Sequence, residues 1–341
     1  MRQKTFAQAI EDALAFAMAK DPRIIIIGED VQMIRVNLTA RFGTDRVLAA
    51  PISEAAFVSA AIHAAMAGMR PIVEVMIVDF IAVAMDSILN HAAKIRAFSG
   101  GRWNAPIVIR TACGGGYGDG GQHMQSLWGW LAHIPGISVV VPSNPEDAAG
   151  LMFSAIEDEN PVIYLEHKLL ADYWLEFMGK GGRNTVEFNV PAAGALGKVS
   201  VSPVNIPLGK ARICKEGADL TMVSLGVGVH RALEAAGELA HEKIDCEVID
   251  LRTVQPLDQD TICASVSKTG RLLVIDEDYL RFGLTGEIAA VCLENNLQFK
   301  YQRIATETTI PYSHERELQV LPNSERICRA ACKMLGIPPK V

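Results

Sequence analysis

Short runs of consecutive apolar, mostly β-branched residues alternate along this chain with longer Ala-rich segments of helical spacing, and the pattern occurs twice. A run such as Arg23-Ile-Ile-Ile-Ile-Gly-Glu-Asp30 offers no polar face, so as a strand it must be covered on both sides. Strands of that kind separated by helices belong to parallel sheets wound with helices on both faces. In the first half the pattern predicts helices over 5–20, 54–69, 79–98, 123–132 and 145–158. Strands are expected at 23–30, 71–78, 106–111, 137–142 and 161–166. The rhythm breaks over 168–205, where Met178-Gly-Lys-Gly-Gly-Arg183 and Val190-Pro-Ala-Ala-Gly-Ala-Leu-Gly197 read as linker. It restarts with strands at 219–225, 246–251, 271–275 and 299–305 and helices at 228–241, 258–267, 283–295 and 324–335. The chain is therefore expected to be α/β, with two doubly wound domains of mainly parallel sheet, residues 1–170 and 206–341, joined by a linker over 171–205.

Composition removes several classes of function. A chain of 341 residues, 50% hydrophobic and 21% charged, is too long and too apolar for a disordered tail. Its formal charge of −7 supplies no basic footprint for nucleic acid. No apolar run approaches the ~20 residues of a membrane-spanning helix, and the first residues lack an apolar signal core. The 7 cysteines, an odd number without a CxxC, fit neither a disulfide framework nor a zinc site, so a reducing cytoplasm is expected. Cys328 and Cys332, one helical turn apart, are read as core-facing thiols.

Three local motifs invite a chemical reading. Leu225-Gly-Val-Gly-Val-His230 opens a helix after a strand but lacks the third glycine of a dinucleotide fingerprint, so it is read as a tight turn. Gly118-Asp119-Gly120, followed by a helix, a strand and Asn144, imitates a magnesium–diphosphate site, since hard cations take oxygen ligands. Here Pro145 stands where a second Asn would be needed, and the motif lies within a glycine run. Pro51-Ile-Ser-Glu54 meets a helix start. Glu54 either favours the helix dipole behind a Ser53 cap, or lies desolvated among Pro51, Ile52 and Phe57 with a raised proton affinity. Spacing alone leaves these two readings level. Glu74, inside a strand, is expected to be a buried structural carboxylate paired with an arginine.

A longer series of motifs carries a resemblance. Gly28-Glu-Asp-Val31, Pro51-Ile-Ser-Glu54, Arg70-Pro-Ile-Val-Glu-Val-Met76, Asp79-Phe80, Asn90-x-Ala-Ala-Lys94, Ser99-Gly-Gly101, Gln122-His-Met-Gln125 and His133-Ile-Pro-Gly136 stand in order in the first half. Asn160-Pro-Val-Ile-Tyr-Leu-Glu-His-Lys-Leu-Leu170, Pro207-Leu-Gly-Lys-Ala211, Glu247-Val-Ile-Asp-Leu-Arg-Thr253 and Pro256-Leu-Asp258 continue it. Together they resemble the beta subunit of the thiamine diphosphate-dependent first component of 2-oxo acid dehydrogenase complexes. The resemblance covers nearly the whole chain and implies a transketolase-like pyrimidine-binding domain followed by a transketolase C-terminal-like domain.

It also implies an α2β2 heterotetramer with thiamine diphosphate at each alpha–beta interface. The alpha subunit would hold the diphosphate and Mg2+, and this chain the aminopyrimidine. Glu54 matches the family's glutamate, whose carboxyl drives the pyrimidine towards the imino tautomer that deprotonates the thiazolium carbon. Phe80 matches the aromatic beside the pyrimidine. His123 matches the active-site histidine, with proton management or guidance of reductive transfer to a lipoyl group as its tasks. Ile107, Ala155, Asp158 and Asn160 match a potassium (K+) site built largely from main-chain carbonyls, for which a helix end offers unpaired acceptors.

The expected activity is decarboxylation of a 2-oxo acid, pyruvate first, with acyl transfer to a lipoyl-bearing acyltransferase. Within the family, acetoin cleavage is the alternative. A self-sufficient thiamine enzyme using Asp119 and Asn144, or a non-catalytic assembly subunit, remain open from the sequence. Met124 and Ala97 depart from the family pattern, as do a shortened stretch after Val31, the glycine-rich loop 114–121 and an extended 171–205.

Overall fold

The computed structural model describes residues 1–174, 188–202 and 204–338; the expected linker stretch 178–183 lies outside the described residues. Helix formation in the first half follows local rules. The first helix, α1 (Phe6–Lys20), starts at a capping box: Thr5 Oγ1 accepts from Gln8 N at 3.2 Å and Gln8 Oε1 from Thr5 N at 3.3 Å. Two short helices, α2 (Val31–Ile34) and α3 (Val36–Phe42), precede α4 (Glu54–Met66). Further on come α5 (Ile95–Phe98), α6 (Trp128–Ala132) and α7 (Pro145–Glu157). Proline at the first position and an Asn144 cap fix the start of α7.

Among the described residues there are three sheets. A two-stranded antiparallel ribbon pairs β1 (Arg2–Thr5) with β8 (Leu196–Val199). The large sheet contains β2 (Ile24–Glu29), β3 (Val47–Ala50), β4 (Arg70–Ile77), β5 (Val108–Cys113), β6 (Ser138–Val140), β7 (Val162–His167) and β12 (Thr253–Gln255). Their order is β12-β6-β7-β5-β4-β2-β3, parallel throughout except for β12. The third sheet has β9 (Arg212–Lys215), β10 (Leu220–Ser224), β11 (Cys246–Asp250), β13 (Arg271–Tyr279) and β14 (Lys300–Thr306), in the order β14-β13-β10-β11-β9. Only β9 runs antiparallel there.

One apolar cluster, with Phe6, Ile10, Leu14, Ala148 and Leu151, lies under α1 and α7. Another covers the opposite face. It joins Phe57, Val58 and Ile62 of α4 to Val223, Ile249 and Leu272 of the second half, so the main core is continuous across both halves. Each fully buried branched side chain in it stabilises by roughly 1.5–3 kcal/mol. Thr253 pairs with Val140 across β12 and β6, so the second half donates a strand to the first half's sheet.

The structure departs from the sequence expectation in three places. Residues 79–98 are not one α-helix: a 3-10 helix (Val78–Ala84) leads to a π-helix (Ser87–Ala92) and then α5. The buried residues explain the first part, because Val78, Ile81 and Ala84 recur every third position, the period of a 3-10 turn. The helix expected at 123–132 shrinks to α6, with Leu127 left-handed at φ 52° before it. Residues 31–42, to which the sequence assigned no element, hold α2 and α3, and β1, β3, β8, β9 and β12 are additional strands. Glu74 does bind Arg35 at 2.9 Å and Arg110 at 2.8 Å, and Arg110 also pairs with Glu166. Cys328 and Cys332 are buried free thiols.

Candidate active site

The C-terminal ends of parallel strands are where open α/β sheets place ligands. Glu54 follows β3, Phe80 follows β4, and His123 lies on the loop after β5. These three expected residues thus come to one end of one sheet. Phe80 and His123 meet edge to face, with ring centroids 5.9 Å apart and planes at 83°. The turn carrying Phe80 packs against α4, which begins with Glu54.

Glu54 is the first residue of α4. Ser53 stands at the cap position, but its side chain makes no capping bond. Glu54 is only 9% exposed, and among the described residues its carboxyl makes no hydrogen bond. Its oxygens are not among the sealed, unpartnered polar atoms, so the carboxyl end of an otherwise buried side chain reaches the surface and is open to a donor from outside the chain. Glu29, at the end of β2, has its carboxyl pushed up by burial and by the nearby charges of Asp30 and Glu54. Two residues before Glu54, Ile52 is 77% exposed, and Val83, on the 3-10 helix that packs against α4, is 60% exposed. Large apolar side chains left bare in this way are features of a surface that a partner covers.

The His123 side chain is 40% exposed, and Nδ1 lies 3.4 Å from the Asp119 carbonyl oxygen. Behind the ring pair, Asp79 Oδ1 accepts from Gln125 Nε2 at 2.7 Å, and Gln125 Oε1 accepts from the Tyr279 hydroxyl at 3.0 Å. Burial pushes the Asp79 carboxyl up against the lowering effect of Gln125. Sequence reading did not find this relay. Its ends lie 200 residues apart, and only the docking of β13 against the loop connects them.

The glycine-rich loop is likewise held by the second half. Gly115 N donates to Glu277 Oε1 at 2.6 Å, and Gly116 N and Gly118 N donate to the two carboxyl oxygens of Glu317 at 2.7 and 2.9 Å. His167 Nδ1 accepts from Leu169 N at 3.2 Å, so its Nε2 carries the hydrogen and donates to Glu277 at 2.9 Å. Burial alone would raise the Glu277 carboxyl, but His167 and the Gly115 amide outweigh it and hold it below its usual value. Trp128 Nε1 donates to Asp276 at 2.8 Å and Gly129 N to Asp278 at 2.8 Å. Gly114 is required here: its φ is +93°, and a Cβ would stand 2.1 Å from the His167 ring.

These bonds decide the Gly118-Asp119-Gly120 motif. Three loop amides that could cradle a phosphate already face carboxylates, which would repel one. Asn144 Oδ1 accepts from Asp147 N at 3.0 Å and serves as the cap of α7. Among the described residues there is no group of three or more metal-ligating side chains. Among the same residues no helix is long and apolar enough to cross a membrane.

Ile107, Ala155, Asp158 and Asn160 gather at the other end of the sheet, where α7 finishes and β5 and β7 begin. The Ile107 carbonyl accepts from Val162 N at 2.9 Å, and Asp158 Oδ1 accepts from Asn160 N at 2.8 Å. Arg70 Nη1 donates to the carbonyls of Ile156 at 2.8 Å and Asp158 at 3.3 Å.

Comparison with known proteins identifies the family and the fold. The family described as "Transketolase, pyrimidine binding domain" matches residues 2–172, and "Transketolase, C-terminal domain" matches residues 209–327. The chain is 38% identical over 356 residues to the acetoin:2,6-dichlorophenolindophenol oxidoreductase subunit beta of Bacillus subtilis, covering 98% of each chain. It is 37% identical over 346 residues to the pyruvate dehydrogenase E1 component subunit beta of the same organism, covering 98% of this chain and 99% of that one. A split gene transketolase, solved as an inactive beta4 tetramer, shares the fold at a TM-score of 0.78, with 19% identity and 98% coverage of both chains.

Proposed function

The chain belongs to the family of transketolase-like beta subunits that includes those of pyruvate dehydrogenase E1 and acetoin oxidoreductase, and from that premise we propose that it works with an alpha subunit to cleave a 2-oxo acid. Pyruvate is the first choice of donor, and the acceptor is the lipoyl group of an acyltransferase. The alpha subunit covers the face around Glu54, so thiamine diphosphate lies between the chains, with Mg2+ and diphosphate held by the partner. The single observation that supports this most is that Glu54, a largely buried residue at the strand ends, makes no side-chain hydrogen bond among the described residues.

Held there by Glu54 and Phe80 together with the partner, thiamine diphosphate would supply the carbanion chemistry that no protein side chain provides. Glu54 gives and takes back a proton at the pyrimidine ring nitrogen; a glutamine there could hydrogen-bond but not exchange that proton. Phe80 packs beside the pyrimidine ring and excludes water. His123, edge-on to Phe80 and 40% exposed on the solvent side, moves protons near the reacting carbon or steers transfer to the lipoyl arm. A structural potassium ion among the carbonyls of Ile107, Ala155, Asp158 and Asn160 belongs to the same reading. The convergence of those segments at the carbonyl end of α7 supports it.

The test is to co-purify the chain with its alpha subunit and measure carbon dioxide release from pyruvate with a dye as electron acceptor. Turnover dependent on both chains and on thiamine diphosphate is expected. Turnover of acetoin but not of pyruvate would move the assignment to the acetoin branch, and activity of this chain alone would overturn the shared site.

A further inference from the structure

Lys168, just past β7, is 2% exposed. Its Nζ donates to the main-chain carbonyl of His123 and stands 3.9 Å from Met124 Sδ and 5.8 Å from the centre of the Trp174 ring. Burial lowers its proton affinity, and Asp79 is the strongest of the charges that oppose this. One oxygen of Asp79, Oδ2, is buried without a hydrogen-bond partner. An ammonium costs more to bury than an apolar side chain of the same shape, so the position asks for what only a long cation supplies. The His123 carbonyl lies in irregular backbone between β5 and α6, where no helix or strand satisfies it.

The group that Lys168 bonds, the His123 carbonyl, stands behind the ring pair, and Asp79, which immediately precedes Phe80, is near enough for its charge to act on the ammonium. We propose that Lys168 is a positioning residue that sets where the His123 ring stands against Phe80. Through that ring it governs acyl transfer to the lipoyl arm more strongly than it governs decarboxylation. The second statement rests on the function proposed above; the first concerns this chain alone. A small displacement of a transfer group is enough to matter, because misplacement by about 1 Å can cost up to ~100-fold in rate.

The experiment compares two partial reactions in the reconstituted alpha–beta complex: dye-coupled decarboxylation and acylation of a lipoyl domain. Lys168→Met should lower the ratio of acylation to dye-coupled rate by about tenfold. Lys168→Arg keeps a cation but lengthens its reach, and should shift the ratio by roughly two- to fivefold in the same direction. It also decides the matter if the methionine variant does not assemble. The full chain without its partner supplies a separate readout. Diethyl pyrocarbonate should modify His123 several times faster in the variants than in the native chain, as followed by peptide mass spectrometry. Equal loss of both partial reactions, or unchanged His123 reactivity, would reduce Lys168 to packing and overturn the proposal. If the native complex released no carbon dioxide from any 2-oxo acid, the functional reading would fall, while His123 reactivity would still decide the lysine's part.

Discussion

Glu54 in the first half and Glu317 in the second are both buried glutamates, 9% and 0% exposed, yet their surroundings are opposite. Glu317 accepts two glycine amides and faces His314 Nδ1 at 3.2 Å, so its polar atoms are satisfied within the chain. Among the described residues Glu54 has no such bonds, and Ile52 just before it is open to solvent. The first arrangement completes a fold; the second waits for something to complete it. A buried carboxyl is therefore not by itself a sign of catalysis, and what sets Glu54 apart in the proposed reading is that no described residue hydrogen-bonds it.

The largest expected effect breaks the Glu54 side of this contrast. Glu54→Gln should lower decarboxylation by the alpha–beta complex by about 10²–10⁴-fold, the usual weight of a lost acid–base group. The unfolding midpoint of the chain should stay close to native, because no internal bond is lost. Steady-state kinetics and urea denaturation of the same preparation check both halves. Full activity in this variant would remove Glu54 from the chemistry. The Glu317 side predicts the reverse order of effects. Glu317→Ala strands two buried amides and should cost about 3 kcal/mol of stability, whereas Glu317→Gln, which keeps an acceptor, should recover part of it. The smallest effect sharpens the contrast at the false metal motif. Asn144→Ala removes a helix cap and should cost about 1 kcal/mol without altering the magnesium requirement of the complex, as a titration of activity against Mg2+ would show.

The legible part of the molecule was the part encoded locally. Ile24–Glu29 and Val108–Cys113 announce buried strands because continuous apolar, largely β-branched residues have no other stable setting. Glu54, Phe80 and His123 were singled out by the family resemblance of the short motifs that carry them, since spacing alone left Glu54 level with a helix-start role and gave Phe80 and His123 no distinction. Residues 78–98 were not, since apolar spacings of three and four overlap among 3-10, α and π helices until the packing partner is known. The carboxylate clamp was also out of reach. Gly118 and Glu317 are separated by 199 positions, and nothing near either residue signals the other. Lys168 reads as an ordinary charge in Glu166-His-Lys-Leu until the fold buries it.

The single strand β12 has a further meaning for how this protein can be handled. Because Thr253–Gln255 lines the outer margin of the first half's sheet, severing the chain near residue 205 would not yield two independent modules. The N-terminal fragment would display the naked backbone of β6, a template for runaway self-association. The C-terminal fragment would dangle a segment with nothing to lean on. Dissecting this enzyme by truncation is thus poorly suited to it, and point substitution in the intact polypeptide is the sounder instrument.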